Sequence, residues 1–349
     1  MATDPESLPD FDNLPPVPDM PQGCTWGLFD NSNQKDTLGT LNFLTPLIVR
    51  TAAQQVQDGI SISLNWPLNA LSWLNLSHRK QITHRILYLP DSMPGVPPEA
   101  SAWDDELDFN TQTSSQWDSL CHVQHIPSGL AYNGFRPDPT TLSDNPPKET
   151  PTLGQWHFRG AMVARGVLLD YGAYTRESLI SFDPFAGTAI TIADLEAAAR
   201  HFSLEFRPGD VLLIRIGTTE AIDRLRQDVG PEDSRASLPL GQGRCSGLLG
   251  SEDTARWLWN HRFTAVASDS FALEVIPPVL PDGTRGGMES LVLHHYMLSL
   301  MGMPIGELWD LSRLSRYCHQ TKRYSFMLTS APLNHPSLIA SPPNAIAIF

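Results

Sequence analysis

Two apolar runs with an amphipathic helix between them limit the folds open to this chain. AMVARGVLLDY and, after the turn RPGD, VLLIRIG are both nearly free of polar alternation. Strands of that kind are covered on both faces, as in parallel or mixed sheets. TIADLEAAARHF separates them, with apolar residues at helical spacing and Thr191 as its cap. A helix set between buried strands is the repeating unit of α/β proteins.

The remaining segments extend the same plan. TPLIVRTAAQQVQDG is a helix with Thr45 as cap, Pro46 in its first turn and Gly59 to end it. ISISLNW alternates as a strand, SEDTARWLWNHRF is helical, and TAVASDS is a short strand. RGGMESLVLHHYMLSLMGM predicts one long helix buried on most faces, and NAIAIF a closing strand. Residues 66–109 and the stretch from Pro137 to Pro151 carry prolines and acids and predict surface insertions. No fixed repeat occurs. The expectation is α/β: one domain on a mixed sheet, with long loop insertions.

Residues 1–23 differ in character. Five prolines lie between Pro9 and Pro21 among several acids, which predicts an extended arm, disordered or wrapped over a neighbour. Residues 24–349 are expected to form the folded domain. The acidic, proline-rich start is unlike a secretory or mitochondrial signal, and no apolar run approaches a membrane span. A net charge of −14 argues against nucleic acid or anionic membrane as partner. The four cysteines are scattered without a CxxC pair, so reduced thiols and a cytoplasmic protein are expected.

Chemistry-bearing residues concentrate in two stretches. TSSQWDSLCHVQH packs Gln116, Asp118, Cys121, His122 and His125 together, with Gln112 just before it. An extended chain from Gln112 to His122 would span roughly 33 Å, so the Ser/Thr-rich part must loop for these side chains to meet. The second stretch, HHYMLSLMGMPIGELWDL, holds His295 and Glu307, twelve residues apart. An unbroken helix would separate them by about 18 Å, but Gly302 and Pro304 predict a reversal that returns Glu307 toward His295. Trp26, Trp117 and Trp309 line a pocket or simply pack. There is no P-loop, GxSxG or HExxH, GQGRCSG lacks the setting of a dinucleotide site, and CHVQH has no second half for a structural zinc.

These two stretches resemble the cyclase family that includes bacterial kynurenine formamidases and isatin hydrolases. That family carries H-x-G-T-H-x-D-x-P-x-H early and a late His followed twelve residues on by Glu. Asp118 and His122 match the Asp and last His of the first motif, and His295 and Glu307 match the late pair. TWGLFDNSNQKDTLGTLNFLTP, RGVLLDY, RPGDVLLIRIG and SPPNAIAIF also match, so the resemblance runs from about residue 24 to the C-terminus, nearest to a fungal branch. It implies the swivelling β/β/α fold of kynurenine formamidases, a small-molecule substrate and a homodimer.

Two motif histidines are replaced by Gln112 and Gln116, and the motif proline by Leu120. Amide oxygens are poor zinc ligands beside imidazole. The resemblance therefore implies either no required metal or one weakly held divalent ion, zinc or manganese, on Asp118, His295 and Glu307. His122 takes the general acid/base role, with Asp118, His295, Glu307, Gln112 and Gln116 completing the catalytic set. His125 and His294 are left outside as structural or rim histidines. The leading expectation is acid/base cyclisation or dehydration of a small carbonyl compound, an intermediate of fungal secondary metabolism. Metal-dependent hydrolysis of an N-formyl amide or lactone, as in an arylformamidase, is the alternative. An inactive binding protein on the same fold is the third.

Overall fold

The computed structural model describes residues 3–32, 34–74, 79–228 and 243–349. Among them are the strands β1 (Ser61–Ser63), β2 (Thr83–Tyr88), β3 (Trp103–Asp108), β4 (Gln116–Asp118) and β5 (Met162–Asp170). They are followed by β6 (Ala189–Ile190), β7 (Val211–Arg215), β8 (Gly247–Leu248), β9 (Ala265–Ser268) and β10 (Ile305–Glu307). β11 (Ser325–Ser330), β12 (Ala340–Ser341) and β13 (Ala345–Ile348) complete the set. Nine of these form one mixed sheet in the order β1-β13-β11-β5-β7-β9-β10-β4-β12. The α/β expectation holds. The apolar runs become its centre, where β5, β7, β9 and β10 lie parallel and β7 and β9 are buried throughout.

Successive residues of β7 serve opposite faces: Leu212 and Ile214 enter one core, Val211 and Leu213 the other. The helix Ile192–His201 lies in the chain between β5 and β7. It starts on a full capping box, in which Thr191 Oγ1 accepts from the Asp194 N–H while the Asp194 carboxylate accepts from the Thr191 N–H. Pro46–Ala53 is helical from Thr45, as its cap predicts, but stops short of Gly59.

Two expectations change, and a third gains a strand pair. The proline-rich arm lies on its own chain: Trp259 Nε1 donates to the Pro9 carbonyl, and Arg262 donates to the carbonyls of Pro5 and Leu8. Phe11, fully buried, and Leu14 join the main core. The single long helix over RGGMESLVLHHYMLSLMGM is instead a 3₁₀ turn (Met288–Ser290), one α turn (Val292–His294) and a π-helix (His295–Met301). Gly302, at φ 66°, ends it. The insertion 66–109 contains an antiparallel hairpin, β2 with β3, that joins no other strand among the described residues. Residues 75–78 of that insertion, and Gly241 and Gln242 of GQGRCSG, lie outside the described residues. No described helix is long and apolar enough to cross a membrane. Cys24, Cys121, Cys245 and Cys318 are buried free thiols.

If the arm is part of the core, Phe11→Ala should cost about 3–5 kcal/mol, the usual range for emptying a buried phenylalanine site. A denaturant midpoint indistinguishable from the parent's would show the arm to be dispensable.

Candidate active site

A three-residue pairing builds the polar end of the site. β4 runs antiparallel to β10 with Gln116 opposite Glu307, Trp117 opposite Gly306 and Asp118 opposite Ile305. Side chains alternate along a strand, so Gln116 and Asp118 share one face and Trp117 takes the other. Trp117, fully buried, packs edge-on to Trp309 at 4.8 Å and donates from Nε1 to Ser330 Oγ at 2.8 Å. Gly306 is required opposite it, because a Cβ there would sit 3.1 Å from the Trp117 ring and closer still to Ala267. Trp117 and Trp309 are therefore packing residues.

The Ser/Thr-rich segment loops, as the distance argument requires. Ser114 Oγ donates to the carbonyls of Trp66 and Pro67, and Ser115 Oγ donates to the Leu308 carbonyl while accepting from the Trp66 N–H. The loop brings Gln112 back over β4. Its Nε2 donates to Asp118 Oδ1 at 2.8 Å and reaches His122 Nε2 at 3.2 Å. Gln116 Nε2 donates to Glu307 Oε2 at 2.6 Å. Gln112, Gln116, Asp118, His122 and Glu307 thus meet.

His295 does not join them. Its Nδ1 lies 2.7 Å from the Gln124 carbonyl, and among the described residues it makes no hydrogen bond to Glu307. His294 takes the place expected of His295: its Nε2 is 3.2 Å from Glu307 Oε1 and its Nδ1 is 2.8 Å from Glu274 Oε1. Neighbouring side chains on a helix diverge by about 100°, so only one of two adjacent histidines can face the sheet. The switch from α to π winding at this point selects His294. The proposed ligand set of Asp118, His295 and Glu307 is corrected to Asp118, His294 and Glu307. Their candidate ligand atoms lie within 4.8 Å of one another, and all three residues are buried. The clue in the sequence was the HisHis pair, and its phase was misassigned. Glu274 was missed because it stands alone in an apolar segment.

The cluster opens into a cavity of about 540 Å³. Leu71, Val123, Phe271, Ile276, Leu291 and Leu308 supply an apolar wall, and Arg79, Gln112, His122, His294 and Glu307 a polar end. Burial together with the charge of Asp118 pushes the Glu307 carboxyl up to about 7. Burial opposes charge on His294, but hydrogen bonds to Glu274 and Glu307 outweigh it and raise the imidazole to about 10. His122 is the more open group, with its side chain 24% exposed.

Comparison with known proteins shows the family and the fold. A family described as "Putative cyclase" matches residues 61–275, more than half of the chain. The chain belongs to this cyclase family. A crystal structure of a novel cyclase superposes with a TM-score of 0.73 at 28% identity, covering 93% of this chain and 99% of the other. Isatin hydrolase A from Ralstonia solanacearum shares the fold at a TM-score of 0.54 and 13% identity, covering 91% and 99%. Isatin hydrolase A from Labrenzia aggregata, bound to benzyl benzoate, does so at 0.52 and 12%, covering 86% and 96%. No curated protein matches the chain in sequence.

This member of the cyclase family has a donor set that fits one divalent cation. One imidazole nitrogen and two carboxylates suit zinc or manganese. Among the described residues Asp118 Oδ2 and Gln116 Oε1 are buried acceptors with no hydrogen-bond partner, as expected beside a cation. An ion on these residues would displace any proton on His294 Nε2, so binding is coupled to proton release. His294→Ala should weaken Zn²⁺ or Mn²⁺ binding beyond the ~10–100-fold typical of losing an outer partner. His295→Ala should leave it nearly unchanged. Equilibrium dialysis with elemental analysis measures both, and the reverse ranking would return the ligand role to His295.

Proposed function

We propose that this cyclase-family chain is an enzyme that moves protons on a small carbonyl compound, cyclising or dehydrating it, with His122 as the acid/base group. The observation that supports this best is the contrast within the polar end. Asp118, His294 and Glu307 are buried at the polar end, whereas the His122 side chain, which lines the same cavity, is 24% exposed. Gln112 Nε2 faces both Asp118 Oδ1 and His122 Nε2, so its amide donates to each and leaves His122 Nε2 as a proton acceptor.

A substrate in the cavity is shielded from water by the apolar wall. When substrate displaces the Gln112 amide from Nε2 and frees its lone pair, His122 Nε2 takes the proton released by the attacking hydroxyl or acidic carbon and returns it to the departing oxygen. Asp118 Oδ1, 4.0 Å from Nε2, stabilises the imidazolium formed between those steps. Arg79 lines the same end and places positive charge near Glu307.

A second reading is hydrolysis of an N-formyl amide or lactone, favoured by the unpartnered Asp118 Oδ2 and Gln116 Oε1. A divalent cation held by Asp118, His294 and Glu307 would supply Lewis-acid polarisation and an acidified water. Isatin hydrolases share this fold.

Turnover of an N-formyl aryl amide, a lactone and a β-hydroxy carbonyl compound, each with and without chelator, separates the readings. Under the first, chelation leaves most activity and His122→Ala lowers kcat by roughly 10²–10⁴-fold. Activity lost to chelator and restored by zinc or manganese favours hydrolysis. Full activity of His122→Ala would sink both.

We also propose a homodimer. Support comes from the hairpin of β2 and β3, where Ile86 and Trp103, 64% and 67% exposed, lie on one face with Leu107. Two-stranded hairpins without further packing are marginal in water. Light scattering should return twice the 38.6 kDa chain mass, and the monomer mass at micromolar concentration excludes the dimer.

A further inference from the structure

Glu274 lies in the chain between β9 and the His294 turn, with only 1% of its surface exposed. One of its oxygens, Oε1, serves a single residue twice. It accepts from the His294 backbone N–H at 2.9 Å and faces the His294 ring Nδ1 at 2.8 Å. Two bonds from one oxygen to the main chain and the ring of the same residue fix both where His294 sits and how its ring is turned. A carboxylate can only accept, so Nδ1 carries a hydrogen and Nε2 is left facing Glu307.

The carboxylate is itself held in place. A Cβ on Gly250 would collide with Glu274 Oε2, and one on Gly247 would collide with the Glu274 main chain. Two glycines therefore make the room it occupies. Among the described residues Oε2 is buried with no hydrogen-bond partner, and the hydrogen bonds of this carboxylate go to His294.

We propose that Glu274 is the positioning residue of the site. It holds the His294 ring with Nδ1–H toward itself and Nε2 toward Asp118 and Glu307, whether Nε2 carries a proton or a divalent cation. The inference rests on the reading of Asp118, His294 and Glu307 as one site. A carboxylate behind an imidazole also raises its strength as a ligand, and losing such a partner commonly costs 10–100-fold in metal affinity.

The test is Glu274→Gln in the full chain, which keeps size and removes charge. Two readings are taken: ring-nitrogen NMR of ¹⁵N-histidine-labelled protein, and calorimetric titration with Mn²⁺ and Zn²⁺. Wild type should show a protonated Nδ1 on His294, and the variant should lose it in part or in full. Cation affinity should fall about 10–100-fold while the unfolding temperature stays near the parent's. Unchanged Nδ1 protonation together with unchanged cation affinity overturns the proposal. Wild type that binds no cation, yet shows the NMR change in the variant, keeps Glu274 as positioner and removes the cation from the site. Should Glu274→Gln fail to fold, Glu274→Asp replaces it: the shorter carboxylate cannot span both bonds, and the same two losses are expected.

Discussion

The pairing of β4 with β10 is the constraint on which the site depends. Only three residues from each strand take part. Because side chains alternate with a period of two, this register sends Gln116, Asp118 and Glu307 to the cavity side and Trp117 to the core. A slip of β4 by one residue would turn Gln116 and Asp118 toward Trp309 and Trp156 and put an indole in the cavity. Trp117, wedged against both rings and facing Gly306, makes that slip sterically impossible.

Fixing the register creates an electrostatic problem. Asp118, Glu274 and Glu307 are all buried, and burying like charges together is costly unless each finds a partner. The structure answers with amides and one imidazole. Gln112 and Gln116 donate to Asp118 and Glu307, and His294 lies between Glu274 and Glu307. The same arrangement leaves a few acceptors open, and these suit a cation or the polar end of a substrate. In the sequence the glutamines signalled the loss of metal ligands. In the structure their amide nitrogens face the carboxylates, which is a different chemical role from that of an imidazole ligand.

Much of the fold was legible because its signals are local. Buried strands read as apolar runs, and Thr45 and Thr191 each cap a helix through their own side chains. The hairpin of β2 and β3 was hidden because both strands are short and largely exposed, and β3 is rich in acids, with the polarity of a loop. The long apolar helix was misread because its composition says only that it is buried. Whether it winds as α or π is settled by what it packs against.

The sequence by itself determined the α/β class, the two chemistry-bearing stretches and the need for chain reversals inside each, all from spacing and side-chain type. It also named five of the six residues assigned to the acid/base and candidate-ligand set: Gln112, Gln116, Asp118, His122 and Glu307. Tertiary structure alone decided the sixth. His294 and His295 are chemically identical neighbours, and no property of either distinguishes them. The phase of a helix at the switch from α to π winding, and a carboxylate twenty residues earlier at Glu274, turned one toward Glu307 and the other toward Gln124. Such choices depend on contacts between segments distant in the chain, which one-dimensional spacing does not encode.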